Sequence, residues 1–410
     1  MRLYCSTCEK FPLRLVDVTE LFFQELRSRG VEQVWYCRPG PVPGGLRTEY
    51  VGGIPVVVPP TFGAGGPLGE IATRLCYWFL EAVFLLRLLG SPPDVIMIRD
   101  KYWGAAVGFL VARLTRRKFV IWLSYPYPEH DAVESIAAAG VSRWLRKARS
   151  WLGVRLLYRF AMPRADHNFV QSERMKADLV AWGVPPERMT AVPMGIKKGF
   201  HGQIDPAILP VGPPLILHLG SLSAVRRLEV LVDAFALVAS RRPDVRFRFV
   251  GDGDLPAERR ALEERVRKAG LQEVVQFTGM LPMAEAWKYV SEATVCVSPI
   301  PDTPLLRVAS PTKFIEYLAF AKPTVGNSHP EQSMIAGLCD GARIVDWSPQ
   351  AFADGILWCL DHPVEAREMA RRGRSWVQQN RTYDRIADLV HQELKRIVSG
   401  PSSAAATVRQ

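Results

Sequence analysis

The segment SPTKFIEYLAFAKPTVGN, residues 310–327, places two charged side chains within an apolar helical pattern. Ser310 is a suitable N-cap and Pro311 suits the first helical position, so we predict that a helix starts here. A helix start offers free amides and about half a positive charge, and Lys313 on the first turn adds a full charge that suits a phosphate. Glu316, one turn deeper, is placed to accept two ribose hydroxyls. The alternative, a solvated Lys and Glu on a surface helix, fits poorly with so apolar a run.

A second pattern, Asp252-Gly253-Asp254, has the spacing of a metal-binding DxD pair. It directly follows a predicted strand, where Gly251 and Gly253 suit a tight turn and Asp254 suits the cap of the next helix. These glycines do not begin a dinucleotide-binding motif, because the third glycine position is Pro256. We therefore expect a structural turn and no metal.

The segment SRWLRKARSWLGVRLLYRF, residues 142–160, carries six basic residues and no acidic one. Its tryptophans and leucines recur at helical spacing. A basic amphipathic helix with interfacial tryptophans is typical of membrane-surface binding. The expected membrane-binding residues are Arg143, Trp144, Arg146, Lys147 and Trp151. The alternative is an ordinary helix whose apolar side packs on the core and whose basic side is solvated.

The elements that position these residues follow a regular alternation in the first half of the chain. Apolar and β-branched runs predict strands over residues 34–37, 54–58, 95–98, 119–123 and 167–170. Helical periods cover residues 17–29, 71–89 and 103–114. Alternating strands and helices predict a parallel sheet that is covered on both faces.

The same alternation restarts after a loop-rich segment, Gly199–Pro214. Strands are predicted over 215–219, 247–250, 274–277, 294–297 and 324–325, and helices over 228–241, 256–269, 284–290 and 311–321. We therefore predict two Rossmann-like, doubly wound α/β domains, residues 1–198 and 199–398, facing each other across a cleft. Residues 399–410 are predicted to be a disordered tail. Ligands bind at the carboxyl ends of strands in such sheets, so the cleft is the expected site.

Composition limits the class of protein. With 410 residues, 48% hydrophobic and 23% charged, the chain is globular and long enough for two domains. Its seven cysteines are odd in number and scattered, which indicates a reducing, cytoplasmic compartment. Cys5 and Cys8 have CxxC spacing, but no second pair completes a zinc site, so we interpret them as packing thiols. No signal peptide or membrane-spanning segment is predicted.

The net charge of +11 requires an anionic partner. Nucleic acid, anionic lipid and phosphorylated substrates all attract such a protein. Part of the excess charge lies in the basic segment 142–160, and this favours lipid over nucleic acid.

SPTKFIEYLAFAKPTV is similar to the signature helix of the family 4 retaining glycosyltransferases, the group 1 glycosyltransferases with the GT-B fold. LILHLGSLSAVRRLEVLVDAFALV (215–238), FVGDGDLPAERRALEERV (249–266) and VVQFTGMLPMAEAWKYVSEATVCVSP (274–299) follow in the family's order and spacing. Residues 165–200 also resemble the stretch that closes the family's N-terminal domain. The resemblance covers roughly residues 165–340.

The resemblance implies a nucleotide-sugar donor, retention of anomeric configuration, and no metal or other cofactor. It places the diphosphate-binding residue at Arg226, beside Lys313, and the ribose-binding carboxylate at Glu316. A catalytic-face histidine falls on His130, several residues later than usual, and a plain polar surface residue is the alternative there. The other implied donor-binding positions are Ser310, Pro311, Thr312, Phe314, Gly220, Gly251, Gly253 and Met280.

The chain departs from the family pattern at three places. Ser221 stands where an arginine is more usual, and Val308 stands where many members have a glutamate that contacts the transferred sugar. The segment CSTCEKFPLRLVDV, residues 5–18, replaces the glycine-rich loop after the first strand.

These observations predict an enzyme that transfers a sugar to a saccharide acceptor, which is expected to be lipid-linked and to serve surface polysaccharide or glycoconjugate assembly. The protein is then expected in the cytoplasm or peripherally on the inner face of the cell membrane. A nucleotide-sugar epimerase of the same fold is an alternative, and it would need acid–base carboxylates facing the sugar. A nucleic-acid-binding protein is suggested by charge alone, because the sequence contains no recognised module or aromatic stacking platform.

Overall fold

The computed structural model describes residues 1–42, 44–62, 66–137, 139–199 and 212–399. They form two compact units, one of Met1–Pro193 together with the segment from Tyr383 onward, and one of Met194–Thr382. Each unit is built on a largely or wholly parallel sheet with helices on its faces. The predicted class, two doubly wound α/β domains, is confirmed.

The sheet of the first unit has, within the described residues, eight strands in the spatial order β3-β4-β2-β1-β5-β6-β7-β8. Neighbours pair in parallel except β3 and β4, which form an antiparallel hairpin at one edge. The chain order reverses direction between β1 and β5, so the carboxyl ends of these two strands define a crevice. The strands are β1 Arg2–Lys10, β2 Glu32–Arg38, β3 Arg47–Val51, β4 Ile54–Val58, β5 Val95–Arg99, β6 Lys118–Leu123, β7 His167–Val170 and β8 Met189–Ala191.

The helices of the first unit connect these strands and cover the sheet. Two segments, Asp17–Leu26 and Val154–Ala161, are wound as π-helix. In the described part of the chain, no helix of either unit is long and apolar enough to span a membrane. The remaining helical segments are Pro67–Arg87, Trp103–Leu114, Tyr127–Ala137, Gly140–Gly153, Met162–Arg164, Glu173–Val180, Pro186–Arg188 and Tyr383–Ser399.

The last helix corrects the predicted domain division, which assigned residues 199–398 to the second domain. Tyr383–Ser399 packs on the first unit, because its buried residues recur at helical spacing and meet the core around the helix Asp17–Leu26. Arg29 adds an ion pair to Asp388 at 2.8 Å. The chain therefore returns to its first unit at the end. Of the predicted tail, Ser399 closes this helix, and residues 400–410 lie outside the described residues.

The second sheet is wholly parallel, with the described strands in the order β11-β10-β9-β12-β13-β14. Its direction reverses between β9 and β12, which places a second crevice at their carboxyl ends. The strands are β9 Leu215–Leu219, β10 Arg246–Val250, β11 Val275–Phe277, β12 Val295–Ser298, β13 Thr324–Asn327 and β14 Arg343–Val345. The helices are Ala224–Arg226, Glu229–Arg241, Pro256–Lys268, Met283–Glu292, Thr312–Ala319, Pro330–Cys339, Pro349–Asp361 and Pro363–Asn380.

Candidate active site

The helix Thr312–Ala319 connects β12 to β13 and presents its N-terminus at the carboxyl edge of the second sheet. It begins one residue later than predicted, with Pro311 as the N-cap residue. Ser310 does not cap it, because its hydroxyl accepts a hydrogen bond from the Met194 amide at 2.9 Å. The first turn of the helix thus has no side-chain cap, and its amides stay available to an anion.

Glu316 and Lys313 form an ion pair on this helix, with 3.0 Å between Lys313 Nζ and Glu316 Oε2. Glu316 is only 7% exposed, whereas 29% of the Lys313 side chain is open to solvent. Burial raises the pKa of Glu316, and the charge of Lys313 and the nearby Trp287 indole oppose that rise. The carboxylate is therefore buried at the rim of the site, next to a cation that can move.

Tyr317 fixes the position of this helix relative to β9. Its hydroxyl accepts a hydrogen bond from the Leu219 amide at 2.7 Å and donates one to the Leu219 carbonyl at 3.3 Å. The ring is fully buried between the helix and the sheet. Because Glu316 directly precedes Tyr317, these two hydrogen bonds also fix the position of Glu316 beside the end of β9.

His218 is a polar residue, next to last in the strand β9, that sequence reasoning missed. It is buried, and its Nδ1 lies 3.2 Å from the Val297 carbonyl, so Nδ1 carries the proton and Nε2 is an acceptor. The pKa of His218 is lowered to about 4, mainly by burial; the hydrogen bond to the Val297 carbonyl opposes this shift, and the charges of Arg226 and Lys313 contribute to it. Within the described structure Nε2 has no hydrogen-bond partner, and it lies beneath Gly220. The sequence signal that could have identified it is a histidine within the apolar run LILHL, which ends directly before Gly220.

Arg226 ends a short 3-10 turn in the loop that follows β9. This loop is held by Glu258, whose carboxylate accepts hydrogen bonds from the amides of Ala224 at 2.8 Å and Leu255 at 2.9 Å. These bonds lower the pKa of Glu258. The N-cap residue of the helix Pro256–Lys268 is Leu255, whose amide donates to Glu258 at the third helical position, so the prediction that Asp254 caps this helix is wrong.

The glycines of the site let two loops touch. Gly251 adopts a positive φ of 135°, and a Cβ there would collide with the carbonyl oxygen of Gly220. The Gly251 amide also donates to the Gly279 carbonyl at 3.2 Å, which places the neighbouring Met280, 73% exposed, beside the same edge. Gly253 lies in the tight turn predicted for it, where a Cβ would press against Leu255 and Glu258.

Three residues that were predicted to bind the donor are less exposed to solvent than such a role suggests. Phe314 is fully buried and packs with Ile196 and Ile335, so its side chain lies in the core and not at the site surface. Pro311 is buried, and Thr312 is half-buried. Helical geometry explains the correction for Phe314, because successive helical residues point about 100° apart, which turns Phe314 away from the exposed edge that Lys313 occupies.

Asp252 takes part in the turn at the end of β10. Its Oδ1 accepts a hydrogen bond from the Gly253 amide at 2.9 Å, and its Oδ2 lies 3.6 Å from Arg259. Within the described ranges no three His, Cys, Asp or Glu residues come together as a metal site requires. Cys5 is buried, which raises its pKa to about 12, and Cys8 Sγ lies 3.3 Å from the Tyr127 hydroxyl. Cys5 is thus packed in the core, and Cys8 is partly buried beside Tyr127.

His130 lies in the first unit, on the helix Tyr127–Ala137. The chain turns into this helix within four residues of β6 because Pro128 can occupy its first turn. His130 Nδ1 lies 3.2 Å from the Tyr125 hydroxyl, and its neighbours are engaged elsewhere. Glu129 accepts a bond from Tyr158 at 2.8 Å, and Asp131 pairs with Arg149 at 3.5 Å.

The basic segment forms the helix Gly140–Gly153, which continues as Val154–Ala161. Trp144, Leu145 and Trp151 are 68%, 50% and 56% exposed, so the alternative that they pack on the core is wrong for these residues. Arg143 and Lys147 are exposed, and Arg146 pairs with Glu134 at 3.2 Å. Tryptophans and cations therefore share one open surface.

Comparison with known proteins agrees with this architecture. The model of the family described as "Glycosyl transferase 4-like domain" matches residues 16–195, and that of "Glycosyl transferases group 1" matches residues 213–362. A 2-deoxystreptamine glucosyltransferase from Streptomyces kanamyceticus is 25% identical over 306 residues, which are 70% of this chain and 73% of that protein.

Two solved structures resemble the whole chain. HepE from Anabaena, in complex with UDP, has a TM-score of 0.67 and 17% identity and covers 96% of this chain and 100% of its own. Sucrose-phosphate synthase from Thermosynechococcus elongatus has a TM-score of 0.69 and 16% identity, and the match covers 97% of this chain and 100% of that protein. At these identities the likeness shows the fold, and the two family models add the class. The chain has the GT-B fold of a group 1 glycosyltransferase.

Proposed function

We propose that this protein transfers a sugar from a nucleotide-sugar to an acceptor with retention of configuration. The observation that carries the proposal is the buried Glu316 beside Lys313 on an uncapped helix start at the carboxyl edge of the second sheet. A buried carboxylate next to free amides matches the two ends of a nucleoside diphosphate. Glu316 would accept the ribose hydroxyls, and the amides would receive the phosphates.

The leaving diphosphate is stabilised, in this proposal, by Arg226, Lys313 and the helix amides. Lys313 would move from Glu316 to the diphosphate, and the ribose hydroxyls would then donate hydrogen bonds to the Glu316 carboxylate. Both charged groups would keep a polar partner. Arg226 and Lys313 both lower the pKa of His218, so their charges act on one small region. Two cations and a helix start can supply the charge stabilisation that a metal ion gives in other transferases. We propose that no metal is required.

A UDP-sugar is the first donor to test, since structural relatives were solved in complex with UDP and with UDP-glucose. Thermal unfolding should be followed with UDP-, GDP-, ADP- and dTDP-sugars. A donor at ~100 times its dissociation constant stabilises by about 2.7 kcal/mol, which raises the melting temperature by roughly 5–10 °C. If none of the four classes stabilises the wild-type protein, the nucleotide-sugar proposal fails.

The acceptor is proposed to be a lipid-linked saccharide used in surface polysaccharide or glycoconjugate assembly. The support is the exposed, tryptophan-containing basic helix Gly140–Gly153, which suits peripheral binding to anionic membrane. Replacing Arg143, Arg146, Lys147 and Arg149 with Gln should weaken sedimentation with anionic vesicles at low salt, where these charges are least screened, and leave donor binding intact.

A soluble acceptor is the second candidate, because one relative is a 2-deoxystreptamine glucosyltransferase. The two acceptor classes are distinguished by assaying transfer to a lipid-linked saccharide in vesicles and to 2-deoxystreptamine in solution. His130 stays a predicted catalytic-face residue for either acceptor.

A further inference from the structure

The helix Pro67–Arg87 has large apolar side chains on its outer side as well as on the side that faces the sheet. Its row that faces the sheet contains Tyr77, Glu81 and Leu85, all of them buried. The opposite row is apolar and open, with five large side chains that are each 51% to 82% exposed: Leu68, Ile71, Leu75, Phe79 and Leu86. A helix that is apolar all round is normally covered on every side. Among the described residues, none covers the outer side of this helix.

The neighbouring helix Trp103–Leu114 continues the same surface. Trp103, Leu110 and Leu114 are 53%, 56% and 73% exposed. The two helices cross closely because Gly104 has no side chain, and a Cβ there would lie 2.6 Å from Glu81 Oε1. We call the outward rows of these two helices the apolar face. Exposed apolar patches of this extent mark interaction surfaces.

The apolar face leads into the basic helix region of the first unit. Phe109 on the helix Trp103–Leu114 packs edge-to-face on Phe160 of Val154–Ala161, with 5.4 Å between ring centroids. The helix Gly140–Gly153, with its exposed Trp144, runs directly into Val154–Ala161. The exposed tryptophans and the apolar rows are thus carried by a series of helices in which each contacts the next.

Charge at the border of the apolar face selects the partner. Arg74 and Arg87 border it on the first helix, and Arg113 and Arg116 border it beside Leu114. Of the acidic residues on these two helices, Glu70 is exposed and Glu81 is buried against Lys101. Two copies of such a surface would bring arginines together, which is unfavourable. An anionic bilayer supplies both the apolar phase and the negative headgroups.

We propose that the apolar face docks the protein on an anionic membrane, with its leucine and aromatic side chains entering the boundary between headgroups and acyl chains. The inference rests on the proposed membrane association and assigns its apolar part to a surface separate from the basic helix. Arginines at the border lie at headgroup level, as is typical of helices that lie in a membrane interface. Apolar burial is insensitive to salt, whereas attraction by the basic helix is screened.

The test is vesicle flotation of the full chain with Leu75→Gln, Phe79→Gln and Leu86→Gln combined. Vesicles are phosphatidylcholine with roughly a third phosphatidylglycerol, washed at about 1 M NaCl, where the Debye length is ~3 Å. Wild-type protein should stay bound in high salt, and the triple variant should lose binding by on the order of tenfold or more, since three apolar side chains no longer enter the membrane. Donor-induced thermal stabilisation should be unchanged.

The matched control replaces exposed apolar residues elsewhere, Leu338→Gln, Val364→Gln and Leu389→Gln, and should bind like the wild type. Equal high-salt binding by wild type and the Leu75/Phe79/Leu86 variant overturns the inference. So does complete salt release of the wild type, which leaves membrane association to the basic helix alone. A wild-type dimer that becomes a monomer in the triple variant, measured by light scattering, also overturns it and assigns the face to a second copy. If no nucleotide-sugar raises the melting temperature of the wild-type protein, that result contradicts the proposed function and not this inference.

Discussion

In the described part of the chain two glutamate–lysine pairs have a buried carboxylate, one pair in each unit, and their surroundings differ. In the first unit Lys101 Nζ lies 2.9 Å from Glu81 Oε1 and 2.7 Å from the Ser6 hydroxyl, which itself donates to Glu81 at 2.6 Å. The ammonium also lies over the Tyr77 ring, 4.6 Å from its centroid. Both side chains are at most 6% exposed.

The ion pair in the second unit, Lys313 with Glu316, is nearly as short, at 3.0 Å, but it is not sealed from solvent. The ammonium is partly open to solvent, and the adjoining helix start lacks a side-chain cap. A sealed and fully hydrogen-bonded pair has no capacity left for a ligand, so it serves the fold. A buried carboxylate whose partner can leave is suited to exchange that partner for a ligand. Openness to solvent, more than the presence of a buried charge, separates the candidate site from the structural pair.

Breaking the sealed pair should give the largest effect. Lys101→Met leaves Glu81 buried without its cation and should lower the free energy of unfolding by about 3–5 kcal/mol, measured by urea denaturation. The double variant Glu81→Leu with Lys101→Met removes both charges and should recover most of that loss. A single variant as stable as the wild type would show that the pair does not support the fold.

Arg226 tests whether the open site stabilises a leaving group. Arg226→Ala should reduce the transfer rate by about 10²–10³, in the range seen when one transition-state donor is removed. The neighbouring exposed Arg227→Ala is the matched control and should retain the rate. Wild-type activity should persist in excess EDTA. A strict requirement for Mg²⁺ or Mn²⁺ would instead assign a role to Asp252 and Asp254.

Glu316 tests the other end of the same site. Glu316→Ala should weaken donor binding by about 1.5–3 kcal/mol in calorimetry, the scale of hydrogen bonds to a charged group. The fold should survive, because Lys313 is open enough to be solvated when its partner is removed. Glu285→Ala, on an exposed position of the helix Met283–Glu292, is the matched control. Unchanged donor affinity in the Glu316 variant would remove the ribose role.

Acid sensitivity should come from histidines buried in both units. Burial lowers the pKa of His218 and of His167 to about 4, below the value of about 6.5 in an unfolded chain. The unfolded state therefore binds more protons between these values, and stability falls as pH falls through this window. Each histidine should contribute about 2 kcal/mol of lost stability between pH 7 and pH 5.

The check is urea denaturation of wild type and His218→Gln at both pH values. Between pH 7 and pH 5 the free energy of unfolding should fall less in the variant than in the wild type, by the contribution of one histidine, about 2 kcal/mol. His362→Gln serves as the control, since this histidine is exposed to solvent. An equal loss in wild type and the His218 variant would contradict the assignment.

The sequence by itself determined the order of strands and helices, and with it the doubly wound class. Runs such as 54–58, 167–170 and 215–219 were predicted at their observed bounds, because β-branched, fully buried strands leave a strong local pattern. Glu316 stood out for the same local reason, a charge within an apolar run. The strands β3, β8 and β14 were not predicted, since short edge strands carry little periodicity.

Tertiary structure alone decided which side of each helix meets a partner. A helical pattern does not show that Glu81 faces the sheet while Leu75 and Phe79 face outward, because the helix is apolar all round and Lys101 comes from a distant strand end. The same holds for the last helix, whose return to the first unit depends on a core built from residues about 360 positions earlier. His218 and Glu258 gained their roles from neighbours brought close by folding, across 79 and 34 residues. Contacts between segments so far apart leave no periodic trace in either segment, so the sequence could propose the site's charges but not their surroundings.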